Sequence, residues 1–326
     1  MSGSAGFIGS HLVEKLLDEG NEVIGVDDLS VGKLDNLKDV LDSPRFTFIN
    51  ADVRNISNYA SRIGKVDYIF HLAAKADIVP SIKYPREYFE SNVEGTLALL
   101  EFARNLKIGK FLYTASSSCY GIPETYPTSE DAKIDPKYPY ALTKFLGEQL
   151  ALHWGHVYGI PVISLRLFNV YGPRARTSGT YGAVFGVFLA QKVSGLPLTV
   201  VGDGNQTRDF TYVSDIVQAF IDSAWSDCAN EVFNVGSGGS YSINRLVELL
   251  DCEKVHIPKR PGEPDVTFAD IARISSKIGW QPKVQFEEGV AMLIEQIDQW
   301  KSAPKWTVND IEIATKEWFH FLGGDH

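Results

Sequence analysis

Apolar residues in the first half of the chain recur at two different periods. Leu12, Val13, Leu16 and Leu17 fall three and four positions apart, the spacing of one helix face, and Gly20 follows as a stop signal, so a helix is expected over His11–Asp18. Short β-rich runs alternate with such patterns. Strands are expected at Glu22–Val26, Phe46–Ile49, Tyr68–Leu72, Phe111–Ala115 and Val162–Leu167, and helices at Val93–Leu106 and Tyr140–Val157. The strand runs are apolar rather than alternating, as in strands covered on both faces. Strand–helix alternation of this kind predicts an α/β fold, a Rossmann-type doubly wound parallel sheet.

After about Asn169 the rhythm changes: Gly and Pro become frequent and the elements short and irregular, with Val232–Val235 as one more strand. The expected division is a sheet domain over 1–168 plus about 207–237, and a smaller substrate-binding region over about 169–206 plus 238–326. A sheet of this type should open with an apolar strand leading into its glycine loop. Here Met1 and Ser2 stand directly before that loop. The first strand is therefore expected to be missing from the sequence, through truncation or a misassigned start, or to be replaced by something else in the gap.

Composition narrows the function classes. At 326 residues the chain is too long for one small core, and its 44% hydrophobic and 22% charged residues are ordinary for a globular protein. The formal net charge of -10 comes with no clustering of Lys and Arg, which argues against a nucleic-acid partner. Cys119, Cys228 and Cys252 are odd in number and widely spaced, so neither a disulfide framework nor a zinc site is expected, and no His stands at metal-ligand spacing. No run approaches the length of a membrane span, and the first residues lack a signal-peptide pattern. A reduced, cytoplasmic protein without a metal is the expectation.

Three stretches carry candidate chemistry. Gly3, Gly6 and Gly9 open the first helix, where a tight turn lets backbone N–H groups approach a pyrophosphate; taken alone the triplet fits a plain Gly-rich turn equally well. Asp27 ends the next strand, where a carboxylate accepts from adenosine ribose hydroxyls and repels a 2′-phosphate, favouring NAD over NADP. Tyr140 and Lys144 stand four apart on one helix face, so the cation is expected to lower the phenol's pKa and make it a base; alone, such a pair also occurs on surfaces by chance. Ser116, Ser117 and Ser118 end a strand upstream, where a hydroxyl can share a proton with that phenol.

In combination these residues resemble the extended short-chain dehydrogenase family, close to UDP-galactose (UDP-hexose) 4-epimerases. The resemblance runs from Gly3–Gly9 through Asp27, Ala51-Asp52-Val53, His71-Leu72-Ala73-Ala74, Ser91-Asn92, Ser116–Gly121, Tyr140/Lys144 and Arg166–Asn169 to Gly202–Arg208 and Arg260–Glu263. It implies that Gly3, Gly6, Phe7, Ile8 and Gly9 hold the NAD pyrophosphate, Asp27 the adenosine ribose, and Asp52 and Val53 the adenine. Leu72, Ala73 and Ala74 would line the cofactor's middle with Asn92 nearby, Lys144 would also bind the nicotinamide ribose, and Asn169, Arg208 and Arg260 would hold the substrate diphosphate. Ala76 departs from the pattern, since many relatives carry Lys there, and His71 is read as a core residue at a strand end.

The resemblance implies NAD-dependent epimerisation of a UDP-hexose at C4 through a 4-keto sugar, with Tyr140 as base and Ser116, Ser117 and Lys144 beside it. A sugar-nucleotide 4,6-dehydratase is the nearest rival, but Ser117 and Ser118 stand where those relatives carry an acid pair. A UDP-glucuronate-processing enzyme and a silent NAD-binding regulator are the further alternatives. Relatives pair through two long helices, here about 84–106 and 138–157, so a homodimer is expected; the broad apolar set Leu97, Leu99, Leu100, Phe102 and Ala103 agrees. The position that controls room at C2 of the hexose falls on Thr267, small enough to admit the N-acetylated pair as well.

Overall fold

The computed structural model describes residues 1–175 and 183–324. Its central sheet is parallel throughout: β1 (Val23–Asp27), β2 (Phe46–Asn50), β3 (Tyr68–His71), β4 (Lys110–Ser116), β5 (Val162–Leu167) and, late in the chain, β7 (Glu231–Val235). Pairing runs β2–β1 on one side and β3–β4–β5–β7 on the other. Met1 and Ser2 lie in line between the two halves: Ser2 bridges Val26 of β1 and His71 of β3, both in parallel sense. Met1 and Ser2 thus occupy the slot of the expected first strand at the end that feeds the glycine loop.

Helices cover both faces, which is why β5 is buried at all six positions. On one face α1 (Phe7–Asp18) packs with α7 (Val213–Trp225), and Leu12, Val13, Leu16, Ile216 and Phe220 share one core. On the other face lie α4 (Gly95–Ala103) and α5 (Pro139–Tyr158), preceded by the short helices α2 (Ile78–Lys83) and α3 (Pro85–Phe89) and a π turn at Glu90–Glu94. α5 approaches the sheet closely because Gly147 leaves room: a Cβ there would sit 2.2 Å from the Tyr113 hydroxyl oxygen. Pro139 starts α5 and Gly159, at φ 70°, ends it.

A second core gathers residues from after the fifth strand. It contains α6 (Val184–Val193), the parallel pair β6 (Leu198–Val201) and β8 (Lys254–Ile257), α8 (Ile243–Leu250), α10 (Phe286–Glu295) and α11 (Val308–Leu322); α9 (Ala272–Ile278) returns to β7. Stacked and edge-on rings of Tyr171, Phe185, Phe210, Tyr241 and Phe286 form its centre. The stretch read from sequence as irregular therefore contains ordered helices. Residues 303–324 of the unassigned tail are described, most of them in α11; the last two of the chain lie outside the described residues.

Candidate functional site

A cavity of about 910 Å³ opens along the C-terminal ends of the strands, between the sheet and the second core. That is near the upper end for a small-molecule site, large enough for two elongated ligands. Gly3, Gly6, Phe7, Ile8 and Gly9 line one end. Gly3 has φ 72°, and a Cβ on it would meet the Ala73 nitrogen at 2.6 Å; a Cβ on Gly9 would come within 1.9 Å of the Gly3 carbonyl oxygen. Only glycine closes this turn. α1 begins at Gly6 with no side-chain cap, so its first N–H groups stay available to an anion. The loop therefore fits a dinucleotide pyrophosphate. Among the described residues no cluster of His, Cys, Asp or Glu could hold a metal ion.

Midway, Leu72, Ala74, Ser116, Ser117, Tyr140 and Lys144 line the same cavity. β4 ends on Ser116, whose Oγ accepts from the Ser118 N–H at 3.2 Å as the chain turns into a short 3-10 segment. Tyr140 enters from the first turn of α5 beside the Ser116 hydroxyl, and Lys144 follows one turn later with its Nζ 4.7 Å from the centre of the Tyr113 ring. Burial raises the Tyr140 pKa, and the Ser116 hydroxyl opposes that rise. Burial also brings Lys144 down to about 7, partly offset by Glu148. Against the expectation from spacing, the phenol's pKa in the ligand-free protein is shifted up rather than down, and the cause is its burial.

At the far end Asn169, Arg208, Arg260 and Thr267 line the cavity. Thr267 is pinned on both sides: its Oγ1 donates to Asn169 Oδ1 at 2.8 Å and accepts from the Asp209 N–H at 2.9 Å. Glu263 sits between the two arginines, 2.9 Å from Arg260 Nε and 3.8 Å from Arg208 Nη2. Desolvation and the neighbouring Arg260 charge lower the Arg208 pKa, with Glu263 opposing.

Five residues expected at the cofactor, Asp27, Asp52, Val53, Ala73 and Asn92, stand outside the lining. Asp27 turns inward at 8% exposure: its oxygens accept from the N–H groups of Ala5 and Leu29, both at 2.9 Å, tying the glycine loop to β1. Asp52 holds Arg54, and Val53 is buried beneath α4. Asn92, carried by the π turn, clamps Lys75 through the backbone N–H at 2.8 Å and the carbonyl at 3.0 Å, and reaches Thr143 of α5 at 3.0 Å. It fixes the segment that bears Leu72–Ala74. His71 is a core residue, as expected. Thr96 donates to the Asn92 carbonyl, so His71 Nε2 donates to Thr96 (2.8 Å); Nδ1 lies 2.7 Å from the Ser2 hydroxyl, which donates to it when the ring is neutral. Its pKa is accordingly depressed by burial, to about 3.

Sequence reasoning missed Tyr138 and the Glu263 bridge. Tyr138 lines the cavity two residues before Tyr140, with its phenol facing Ser118. The short spacing to Tyr140 was a usable signal for the first, and the three-residue step from Arg260 for the second.

Over residues 1–293 the chain matches the protein family described as GDP-mannose 4,6 dehydratase. It is 36% identical over 305 residues to a UDP-glucose 4-epimerase of Mycolicibacterium smegmatis, covering 90% of this chain and 96% of that one. Among solved structures it resembles the UDP-N-acetylglucosamine 4-epimerase of Methanobrevibacter ruminantium, in complex with UDP-N-acetylmuramic acid (TM-score 0.84, 35% identity, 90% of this chain and 97% of that one). It likewise resembles the UDP-glucuronic acid 4-epimerase of Bacillus cereus in complex with UDP-glucuronic acid and NAD (TM-score 0.85, 32% identity, 91% and 98%).

Proposed function

The chain belongs to the extended short-chain dehydrogenase family of sugar-nucleotide enzymes, and from that premise we propose that it epimerises a UDP-hexose at C4 with NAD as resident cofactor. The observation that carries this reading is the convergence of Ser116, Tyr140 and Lys144 midway along one cavity, with the glycine turn at one end and Arg208 and Arg260 at the other. That order matches a dinucleotide and a nucleotide sugar meeting at their reactive ends.

When bound, NAD would supply reversible hydride acceptance and return at C4. The residues of the chain do the rest. Tyr140, as the phenolate that the positive charge of a bound nicotinamide would favour, takes the proton of the 4-hydroxyl, with the Ser116 hydroxyl beside it. Lys144 holds the nicotinamide ribose. Gly3, Gly6, Phe7, Ile8 and Gly9 cradle the pyrophosphate, and Asp27 shapes that cradle through Ala5 while setting the preference for NAD at the ribose. Asn169, Arg208 and Arg260 grip the diphosphate, so the 4-keto sugar can turn about its link without leaving. Asp52 and Val53 border the adenine, Ala73 and Asn92 support the cofactor's middle, and Ser117 completes the hydroxyl edge without offering an acid for dehydration.

The division proposed is an NAD-binding domain over 1–168 plus about 207–237 and a substrate-binding domain over about 169–206 plus 238–326; the clusters on the two sheet faces support the first, while Phe210, Tyr212 and Val213 pack with the second. Tyr84, Phe89, Leu97 and Leu142 are each at least 37% exposed, on or beside α3, α4 and α5, which supports a homodimer through those helices. No helix among the described residues is long and apolar enough to cross a membrane, in keeping with a cytoplasmic enzyme.

The test is to incubate the purified protein separately with UDP-glucose and UDP-N-acetylglucosamine and resolve the products. The C4 epimers are expected. Formation of a 4-keto-6-deoxy sugar, or no conversion with NAD bound, refutes the reading.

A further inference from the structure

α11 (Val308–Leu322) has no part in the chemistry, yet its one fully buried aromatic side chain reaches two walls of the substrate end. Trp318 is 0% exposed. Its indole N–H donates to the Pro261 carbonyl at 2.9 Å, inside the turn that carries Arg260 and Glu263. Its ring lies 5.2 Å, centre to centre, from that of Tyr138, the cavity wall next to Tyr140. Leu322 lies beside Gly262, and the helix packs on α2, whose Ile78 and Val79 line the same cavity.

The Arg260–Glu263 turn needs such a support. Pro261 has no N–H to donate, and Gly262 sits at φ 76°, where glycine alone is relaxed and the backbone has most freedom. A restraint on the Pro261 carbonyl therefore fixes the direction in which the Arg260 side chain leaves the turn. The indole does this with a rigid donor that is itself locked by full burial. The same ring holds Tyr138 toward Ser118.

We propose that Trp318 is a positioning residue for the nucleotide sugar, holding the Arg260–Glu263 turn and the Tyr138 wall at the separation that the diphosphate and the hexose need. The proposal rests on the UDP-hexose reading given above. Trp318→Phe removes the N–H and keeps a ring. In the full-length, NAD-loaded protein it is expected to raise KM for the UDP-sugar, and Kd for UDP alone, by about tenfold, the worth of one buried hydrogen bond. kcat should stay within about twofold and the NAD content should not change. Ile313→Ala, on the exposed side of the same helix at 67% exposure, should leave all four quantities as in wild type.

A second measurement needs no variant. Saturating UDP should slow amide exchange in residues 308–322 of the wild type. A KM shift below twofold overturns the proposal, as does a fall in kcat and NAD content in step with KM, which would mark a merely structural role. If Trp318→Phe does not fold, unchanged exchange in 308–322 on adding UDP overturns it instead. Failure of the parent reading looks different: the wild type then binds no UDP and converts no UDP-sugar.

Discussion

Glu148 and Arg166 form a closed pair behind the helix that carries Tyr140. Arg166 Nη2 lies 2.6 Å from one carboxylate oxygen and Nε 3.0 Å from the other, with side-chain exposures of 6% for Arg166 and 1% for Glu148. Glu148 stands two turns beyond Tyr140 on α5, and Arg166 continues to the Tyr120 hydroxyl at 2.8 Å, which donates to Asn234 at 2.6 Å. The pair thus joins α5, β5, β7 and the turn after Ser116. Breaking it strands a buried cation. Glu148→Ala should lower the unfolding free energy by about 3–5 kcal/mol, read from urea denaturation.

Tyr140→Phe removes one oxygen and leaves the ring in the cavity wall. Turnover should fall by about 10²–10⁴ while NAD content and UDP affinity stay near wild type. Activity within a few-fold of wild type would remove Tyr140 from the role of base.

Lys144 lowers the protein's stability. Its folded pKa is about 7 against an ordinary 10.5, so between those values the folded chain binds fewer protons than the unfolded one. The cost is complete below about pH 7 and fades as pH rises toward 10.5. Lys144→Met should therefore raise the melting temperature most at pH 6–7 and progressively less above it. The gain is on the order of a few kcal/mol, at about 1.4 kcal/mol per pKa unit. A melting temperature lower than wild type at pH 6 would contradict this. The same variant should lose turnover, as expected where function and stability conflict.

Thr267→Tyr should reduce kcat/KM for UDP-N-acetylglucosamine at least about tenfold more than for UDP-glucose. Because the Thr267 hydroxyl also holds Asn169 and the Asp209 N–H, both substrates should lose some rate. The discriminating quantity is the ratio. An equal fall, or a wild type that ignores N-acetyl sugars, refutes the pocket argument.

Leu142 and Leu97 are 47% and 37% exposed on neighbouring helices. Leu142→Glu combined with Leu97→Glu should convert the proposed dimer to a monomer by light scattering at micromolar concentration. A monomeric wild type would refute the dimer itself.

The sheet was legible because its strands, the edge strand β2 apart, are largely buried on both faces, and each expected strand lies within a residue or two of the observed one. α7 is not among the expected helices although Val213, Ile216, Val217, Phe220 and Ile221 fall at helical spacing, since Gly-rich loops flank it on both sides, at Gly202–Gly204 and Gly236–Gly239. α6 is apolar nearly all round, being buried in the second core, so it has no amphipathic period to detect. The Ser116–Tyr140–Lys144 set could be read from spacing, because two of its members share a helix and the third ends a strand. The inward turn of Asp27, the acidity of Lys144 and the reach of Trp318 to Pro261 depend on contacts distant in sequence, and no local pattern announces them.

Glu263 lies against both Arg208 and Arg260, so the substrate end of the cavity carries its own stopper. An arriving anion meets a compensated pair of cations and must offer more than charge to be held. A single inorganic phosphate or chloride gains little by that exchange. A diphosphate, with oxygens on two phosphorus atoms, can satisfy several guanidinium donors at once. If the two arginines hold the diphosphate as proposed, discrimination against small anions is built into the resting site, and retention depends on matching their fork geometry more than on bulk electrostatic attraction.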